Sequence, residues 1–249
     1  MIELKNKTAL VTGGSQGLGR GIVEVLTAEG AKVWTIARDA GRLDALKREV
    51  KGVQTMAADV ADPQVASRTL REIRPDILVL NAGARPPTLP VHEQSWEQFS
   101  KVWETDVKST FFFGKEALLM PMQPGSVVMI MSSGAAIMGS ALSGGYAGAK
   151  RTQWFLAQYL QEESNRLKLG IRFVALVPKQ IIGATELGHI AASAYAARQG
   201  ITEQAYLERF GVPLTPEKVG HGVVALLTDK AYQDGVAFAM TGQGLEPLK

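Results

Sequence analysis

Cysteine is absent from all 249 residues. Its absence excludes disulfides, thiolate nucleophiles and thiolate metal sites, and makes a cytoplasmic setting the expected one. No metal site is expected, and His92, alone in a proline-rich loop, reads as solvated. A block of one charge is also missing. The 27 basic and 24 acidic residues are interspersed, and the formal net charge of +3 requires no nucleic-acid partner. No basic segment followed by an apolar run opens the chain, so no export signal is visible. Pro121 to Ala149 lacks charge and is long enough to cross a bilayer, but six Gly and five Ser interrupt it. Its strongly apolar part is only Val127 to Met131, so no membrane partner is expected. Internal repeats and low-complexity tracts are missing as well.

What is present is a regular alternation. Short apolar runs at Lys7 to Val11, Lys32 to Ala37, Val53 to Ala57, Asp76 to Leu80, Ser126 to Met131, Ile171 to Val177 and Val236 to Met240 read as seven strands. Amphipathic segments lie between them, among them Asp39 to Val50, Pro63 to Arg74, Ser95 to Leu118 with Ser95 as N-cap, Gly145 to Lys168, and Pro216 to Thr228. The pattern predicts one α/β domain over residues 1–249, a Rossmann-type doubly wound parallel sheet of about seven strands with helices on both faces. Residues 183–213, with Leu187, Ile190, Tyr195, Tyr206 and Phe210 among many Ala, read as one or two mobile helices forming a lid, although an ordinary surface helix pair would look similar.

The chemistry-bearing residues fall at strand ends. After the first strand comes TGGSQGLG, whose Gly13, Gly17 and Gly19 are spaced GxxxGxG and lead into a helix. Glycine lets backbone approach a pyrophosphate closely, and the helix start favours an anion. At the end of the second strand Ala37 is followed by Arg38 where binders of NAD carry an acidic residue; a cation there suits a 2′-phosphate and favours NADP(H) over NAD(H). The fourth strand ends in the small residues Asn81, Ala82 and Gly83, leaving room for a ligand. Phe99, Trp103, Asp106 and Thr110 follow one helical row, which turns Asp106 inward, where a carboxylate needs a partner. That partner is a basic side chain such as Lys150, a backbone donor, or the active centre itself. Tyr146 and Lys150 stand four apart, one helical turn on the same face, so the ammonium can act on the phenol. A cation favours ionisation of a phenol whose ordinary pKa is about 10, giving an acid usable near neutrality. Ser133, thirteen residues earlier, is placed to bond the same substrate oxygen.

Taken together, TGGSQGLG at 12–19, Asp59 and Val60, NAG at 81–83, Ser133 and YAGAK at 146–150 resemble the short-chain dehydrogenase/reductase family in order and spacing along nearly the whole chain. The resemblance implies that Ser133 positions a substrate carbonyl, Tyr146 serves as acid or base, and Lys150 holds a nicotinamide ribose. It also implies that Asp106 belongs to the catalytic set, and that Gly13, Ser15, Gln16, Gly17, Leu18, Gly19, Asp59, Val60, Asn81, Ala82, Gly83, Pro178 and Ile181 contact the cofactor. A homo-oligomer, dimer or tetramer, is expected. The chain departs from the family pattern in carrying Asp106 in place of Asn, Lys179 after Pro178 in place of Gly, Gly183 with Thr185 two residues on, a short third helix, and TGQGLEPLK at its end. It therefore reads as an unusual subfamily. The expected activity is NADP(H)-dependent hydride transfer with a carbonyl or secondary alcohol that is at least partly apolar. A catalytically weak NADP(H)-binding sensor or scaffold, and an isomerase or dehydratase with retained cofactor, remain as alternatives.

Overall fold

The structure, a computed structural model, describes residues 3–120 and 122–248. Pro121, at the head of the charge-free stretch, and Lys249, at the end of the unusual C-terminal segment, lie outside the described residues. The apolar runs form strands β1 (Thr8–Thr12), β2 (Lys32–Ala37), β3 (Gln54–Ala57), β4 (Ile77–Leu80), β5 (Val127–Met131), β6 (Arg172–Pro178) and β7 (Ala237–Thr241). They pair in parallel in the order β3-β2-β1-β4-β5-β6-β7. Strand order reverses between β1 and β4, where helices leave to opposite faces and a crevice opens at the strand ends.

Alternation along the strands divides the core in two. Ala9, Val11, Val127, Met129 and Met131 face α1 (Gly17–Ala28) and the last long helix, which supply Ile22, Leu26, Val219 and Val223. Leu10, Val128 and Ile130 face the other way, against Leu70, Phe113, Trp154 and Ala157. The intervening helices are α2 (Ala40–Glu49), α3 (Pro63–Ile73), α4 (Trp96–Val102), α5 (Lys108–Leu119), α6 (Ala135–Met138), α7 (Tyr146–Arg166), α8 (Glu186–Gln199), α9 (Glu203–Glu208) and α10 (Pro216–Thr228). Among the described residues, no helix is long and apolar enough to cross a membrane.

Two expectations are corrected. Among the described residues the sheet has eight strands where about seven were expected: β8 (Gly244–Pro247) folds back antiparallel on β7, with Thr241 opposite Gly244 and Phe238 opposite Pro247. Gly244 adopts φ +136°, a conformation open to glycine, which permits the tight reversal; the strand itself is short and mostly exposed, so it leaves no apolar run. The helix expected over Ser95 to Leu118 is interrupted. Ser95 does cap α4, in a reciprocal box with Gln98. A π-helical turn at Trp103–Val107 then separates α4 from α5. Its extra residue hardly alters the apolar periodicity, yet it sets Asp106 in the wall of the crevice.

Helices α1 and α10 meet at backbone distance. A Cβ on Gly21 would lie 2.5 Å from the Pro216 carbonyl carbon and oxygen, and one on Gly220 would lie 2.8 Å from the Gly21 oxygen. Helix propensity alone would make Gly21→Ala stabilising by about 1 kcal/mol. Displacing the Pro216 backbone should outweigh that with a loss of about 1–3 kcal/mol. Denaturant unfolding reads the sign: a higher midpoint in the variant would refute the close-approach account.

Candidate active site

The crevice begins at the glycine turn. Gly13 (φ +70°) and Gly17 (φ +55°) occupy left-handed conformations, and a Cβ on Gly13 would come within 2.8 Å of the Ala82 Cα. The turn is therefore pressed onto the end of β4. Asn81 fixes it there, its Nδ2 donating to the carbonyls of Thr12 (3.0 Å) and Gly13 (3.3 Å), while Thr12 Oγ1 accepts from the backbone N–H of Asn81 (3.0 Å) and Ala82 (3.1 Å). The Asn81 side chain thus builds the turn. Helix α1 starts at this point without a side-chain cap and without an acidic residue in its first turn. Its first N–H groups and its positive dipole end are available to an anion.

From here a cavity of about 1120 Å³ extends across the ends of β1, β4, β5 and β6. Each of Gly13, Ser15, Gln16, Gly17, Leu18, Gly19, Arg38, Asp59, Val60, Asn81, Ala82, Gly83, Asp106, Ser133, Tyr146, Lys150, Pro178 and Ile181 lines it. At the β2 end Arg38 is exposed. The neighbouring Asp39 is engaged locally: Oδ1 accepts the Arg42 N–H as the N-cap of α2, and Oδ2 stands 3.5 Å from Arg42 Nε. Asp59 accepts the Ala61 N–H at 3.0 Å, closing a turn at the rim.

The opposite wall carries the acid–base candidates. The Ser132 hydroxyl donates to the Lys150 carbonyl (2.7 Å), joining the end of β5 to α7, and Ser133 Oγ accepts the Ala135 N–H (3.2 Å). Lys150 Nζ lies 5.5 Å from the Tyr146 ring centre. It also lies 3.0 Å from Asp106 Oδ2, and it donates to Gln153 Oε1 (2.8 Å) and to the Met131 carbonyl (3.3 Å). The other Asp106 oxygen accepts the Ala84 N–H at 2.7 Å. Both partners left open for Asp106, a basic side chain and a backbone donor, are thus present. Burial pushes the Lys150 ammonium down, but the Asp106 carboxylate outweighs it, with help from Tyr146, and the group titrates above the ordinary lysine value. The ammonium is charged at neutral pH, and the stability it gains from its partner is lost only as pH rises through that raised value.

At the β6 end the departures find structural partners. Lys179 turns to Glu246 of β8 (2.7 Å), and its backbone fits because the facing residue is Gly134, where a Cβ would lie 2.9 Å from the Lys179 Cα. Thr185 caps α8: its hydroxyl accepts the Gly188 N–H (3.0 Å) and donates to the Ile182 carbonyl (2.9 Å). Helices α8 and α9 border the mouth of the cavity. Tyr195 stacks on Tyr206 at 5.9 Å and 8°, and Phe210 meets Tyr206 edge-on at 5.8 Å. The Tyr195 hydroxyl lies 2.7 Å from Ser140 Oγ and accepts the Leu142 N–H (3.2 Å), tying α8 to the loop before α7.

Three residues escaped the sequence reading. Arg42 lines the rim beside Arg38, and its position four residues on was a usable sign. Gln153, at three residues from Lys150, also carried a helical-spacing signal. Thr12 opens the glycine motif, but its role as acceptor for the Asn81 and Ala82 N–H groups carried no signal, because it depends on β4.

A family model described as short chain dehydrogenase matches residues 7–192. L-xylulose reductase of Bos taurus is 30% identical, the alignment covering 92% of this chain and 92% of that protein. Human 15-hydroxyprostaglandin dehydrogenase (NAD(+)) is 26% identical over 98% of this chain and 94% of its own. Among solved structures, that of levodione reductase superposes with a TM-score of 0.83 and 25% identity, covering 96% of this chain and 97% of the other.

The buried pair makes one prediction independent of any reaction. Lys150→Met leaves the Asp106 carboxylate buried with the Ala84 N–H and no cation, and should lower unfolding stability at pH 7 by about 3–5 kcal/mol. Chemical denaturation measures it, and a loss below about 1 kcal/mol would contradict the pairing.

Proposed function

This chain belongs to the short-chain dehydrogenase family, and from that premise we propose that it is an NADP(H)-preferring oxidoreductase interconverting a partly apolar carbonyl compound and its secondary alcohol. The observation that carries the reading is that Ser133, Tyr146 and Lys150 share one cavity with the glycine turn and Arg38. The residues suit a dinucleotide: the uncapped start of α1 suits its pyrophosphate, and the floor beside Ala82 is one that a Cβ on Gly13 would obstruct. When bound, the nicotinamide gives or takes the hydride. Ser133 orients the substrate oxygen, and the Tyr146 hydroxyl donates its proton to that oxygen in reduction, while in oxidation the Tyr146 phenolate takes it back. Lys150 keeps a positive charge against the tyrosine ring as negative charge develops.

Cofactor choice turns on the end of β2. A relative whose name includes NAD(+) means that family membership leaves the question open. Arg38 is exposed at the rim, and the adjacent carboxylate in the chain, Asp39, is engaged with Arg42, which favours a 2′-phosphate over free ribose hydroxyls. Residues 183–213 serve as the lid. Tyr195, Tyr206 and Phe210 give the substrate end of the cavity an apolar, flat-sided lining that suits a ring-bearing substrate and excludes water.

Purified protein should oxidise NADPH stoichiometrically with some member of a panel of ketones, aldehydes and quinones. Tyr146→Phe should lower turnover by about 10²–10⁴-fold with NADPH affinity nearly unchanged. Binding without oxidation in both proteins would instead favour a sensor or an isomerase. Arg38→Ala should weaken NADPH binding by about tenfold or more and NADH binding much less. Equal losses, read by titration calorimetry, would remove the 2′-phosphate role.

A further inference from the structure

The Lys150 ammonium is surrounded by protein oxygens. Its near neighbours are Gln153 Oε1 (2.8 Å), Asp106 Oδ2 (3.0 Å) and the Met131 carbonyl (3.3 Å), which match in number the three N–H groups of an ammonium. The two side-chain partners differ in kind. Asp106 is fully buried and brings charge, but its Oδ2 is poorly aligned for a hydrogen bond to the ammonium. Gln153, 1% exposed, brings direction.

The Gln153 amide is itself fixed at its other end. Nε2 donates to the Asp106 carbonyl (3.1 Å) and to Thr110 Oγ1 (2.7 Å), while Thr110 Oγ1 donates to the same carbonyl (2.8 Å). Reversing the amide would point its NH₂ at the ammonium and its oxygen at a carbonyl, losing the contacts to Lys150 and to the Asp106 carbonyl at once. The orientation is thereby set by α5 and the π-helical turn, and it reaches Lys150 through one side chain.

We propose that Gln153 is a positioning residue for Lys150: with Asp106, its amide holds the ammonium in the cavity wall against the Tyr146 ring, so that its charge keeps one place and one orientation beside the phenol. This rests on the oxidoreductase reading for its kinetic consequences, though not for its structural ones. The ionisable groups facing the ammonium are Asp106 from the π-helical turn and Tyr146 from its own helix; β5 offers only the Met131 carbonyl. Removing the Gln153 acceptor disfavours the charged form, so the ammonium should lose its proton at lower pH.

The test is ¹⁵N NMR of the lysine ammonium in cofactor-free protein, assigned with Lys150→Met and run beside steady-state kinetics. Wild type should show a protected Lys150 signal that titrates above the ordinary lysine range. Gln153→Leu should lose that protection and titrate lower. Its kcat should fall about tenfold or more, its alkaline limb should move to lower pH, and the NADPH Kd should change less than about threefold. Thr110→Val, which keeps the shape and removes the hydroxyl, should move each readout the same way by less, and it decides the matter if Gln153→Leu does not fold. An unchanged ammonium signal with a superimposable pH profile in a folded variant overturns the proposal. Wild type that oxidises nothing yet shows the NMR behaviour would leave the positioning role standing and remove the proposed reaction.

Discussion

Two opposite charges set into the wall of one cavity constrain much of this molecule. Asp106 is fully buried and Lys150 is 5% exposed, and either charge left there without the other would be costly. Neither helix can therefore shift along the other without separating them. The π-helical turn brings Asp106 to the right depth, and the end of β5 holds α7 through Ser132 and Met131. An ion pair of this sort gains little over well-packed apolar side chains. Its physical contribution here is position, a cation kept charged and immobile beside a phenol.

The mouth of the cavity is held by a second and different set of contacts. Tyr195 ties α8 to Ser140, and Glu203 of α9 reaches back to His189 (2.7 Å) and Ser193 (2.5 Å) on α8. Gln180 joins the segment after β6 to the carbonyls of Phe210 (2.6 Å) and Val212 (3.2 Å) and to the Gly242 N–H (3.0 Å). These are hydrogen bonds of partly buried or exposed groups, weaker individually than the core beneath them. The mouth is thus held by hydrogen bonds where the floor is held by apolar burial.

What could be read from the sequence was local or periodic. The glycine turn, the Tyr146–Lys150 spacing and the apolar strands each have a signature within a few residues, and of the row Phe99, Trp103, Asp106 and Thr110 the last two are buried while Trp103 stays exposed. The signs that failed depended on partners distant in the chain. Spacing places Gln153 on the face of Lys150 but does not show what fixes its amide, which comes only when α5 lies across it, and Lys179 looks out of place until Glu246 arrives from β8. The π-helical turn was hidden for another reason: one added residue leaves the hydrophobic period almost intact while moving a side chain through the wall. Thr185 shows the same limit, since only the start of α8 reveals that its hydroxyl is a cap.

Strand β8 has a further consequence, for encounters between molecules. A parallel sheet ending at β7 would offer its neighbours a row of unpaired N–H and C=O groups, a template for strand addition and aggregation. The antiparallel return covers that row with four residues that include Glu246 and Pro247, a short, charged and donor-poor margin on which another chain gains little. Glu246 also holds Lys179 beside the cavity, so the same side chain that discourages edge-to-edge growth restrains a cation at the site. Colloidal behaviour and the electrostatics of the cleft are linked through one carboxylate.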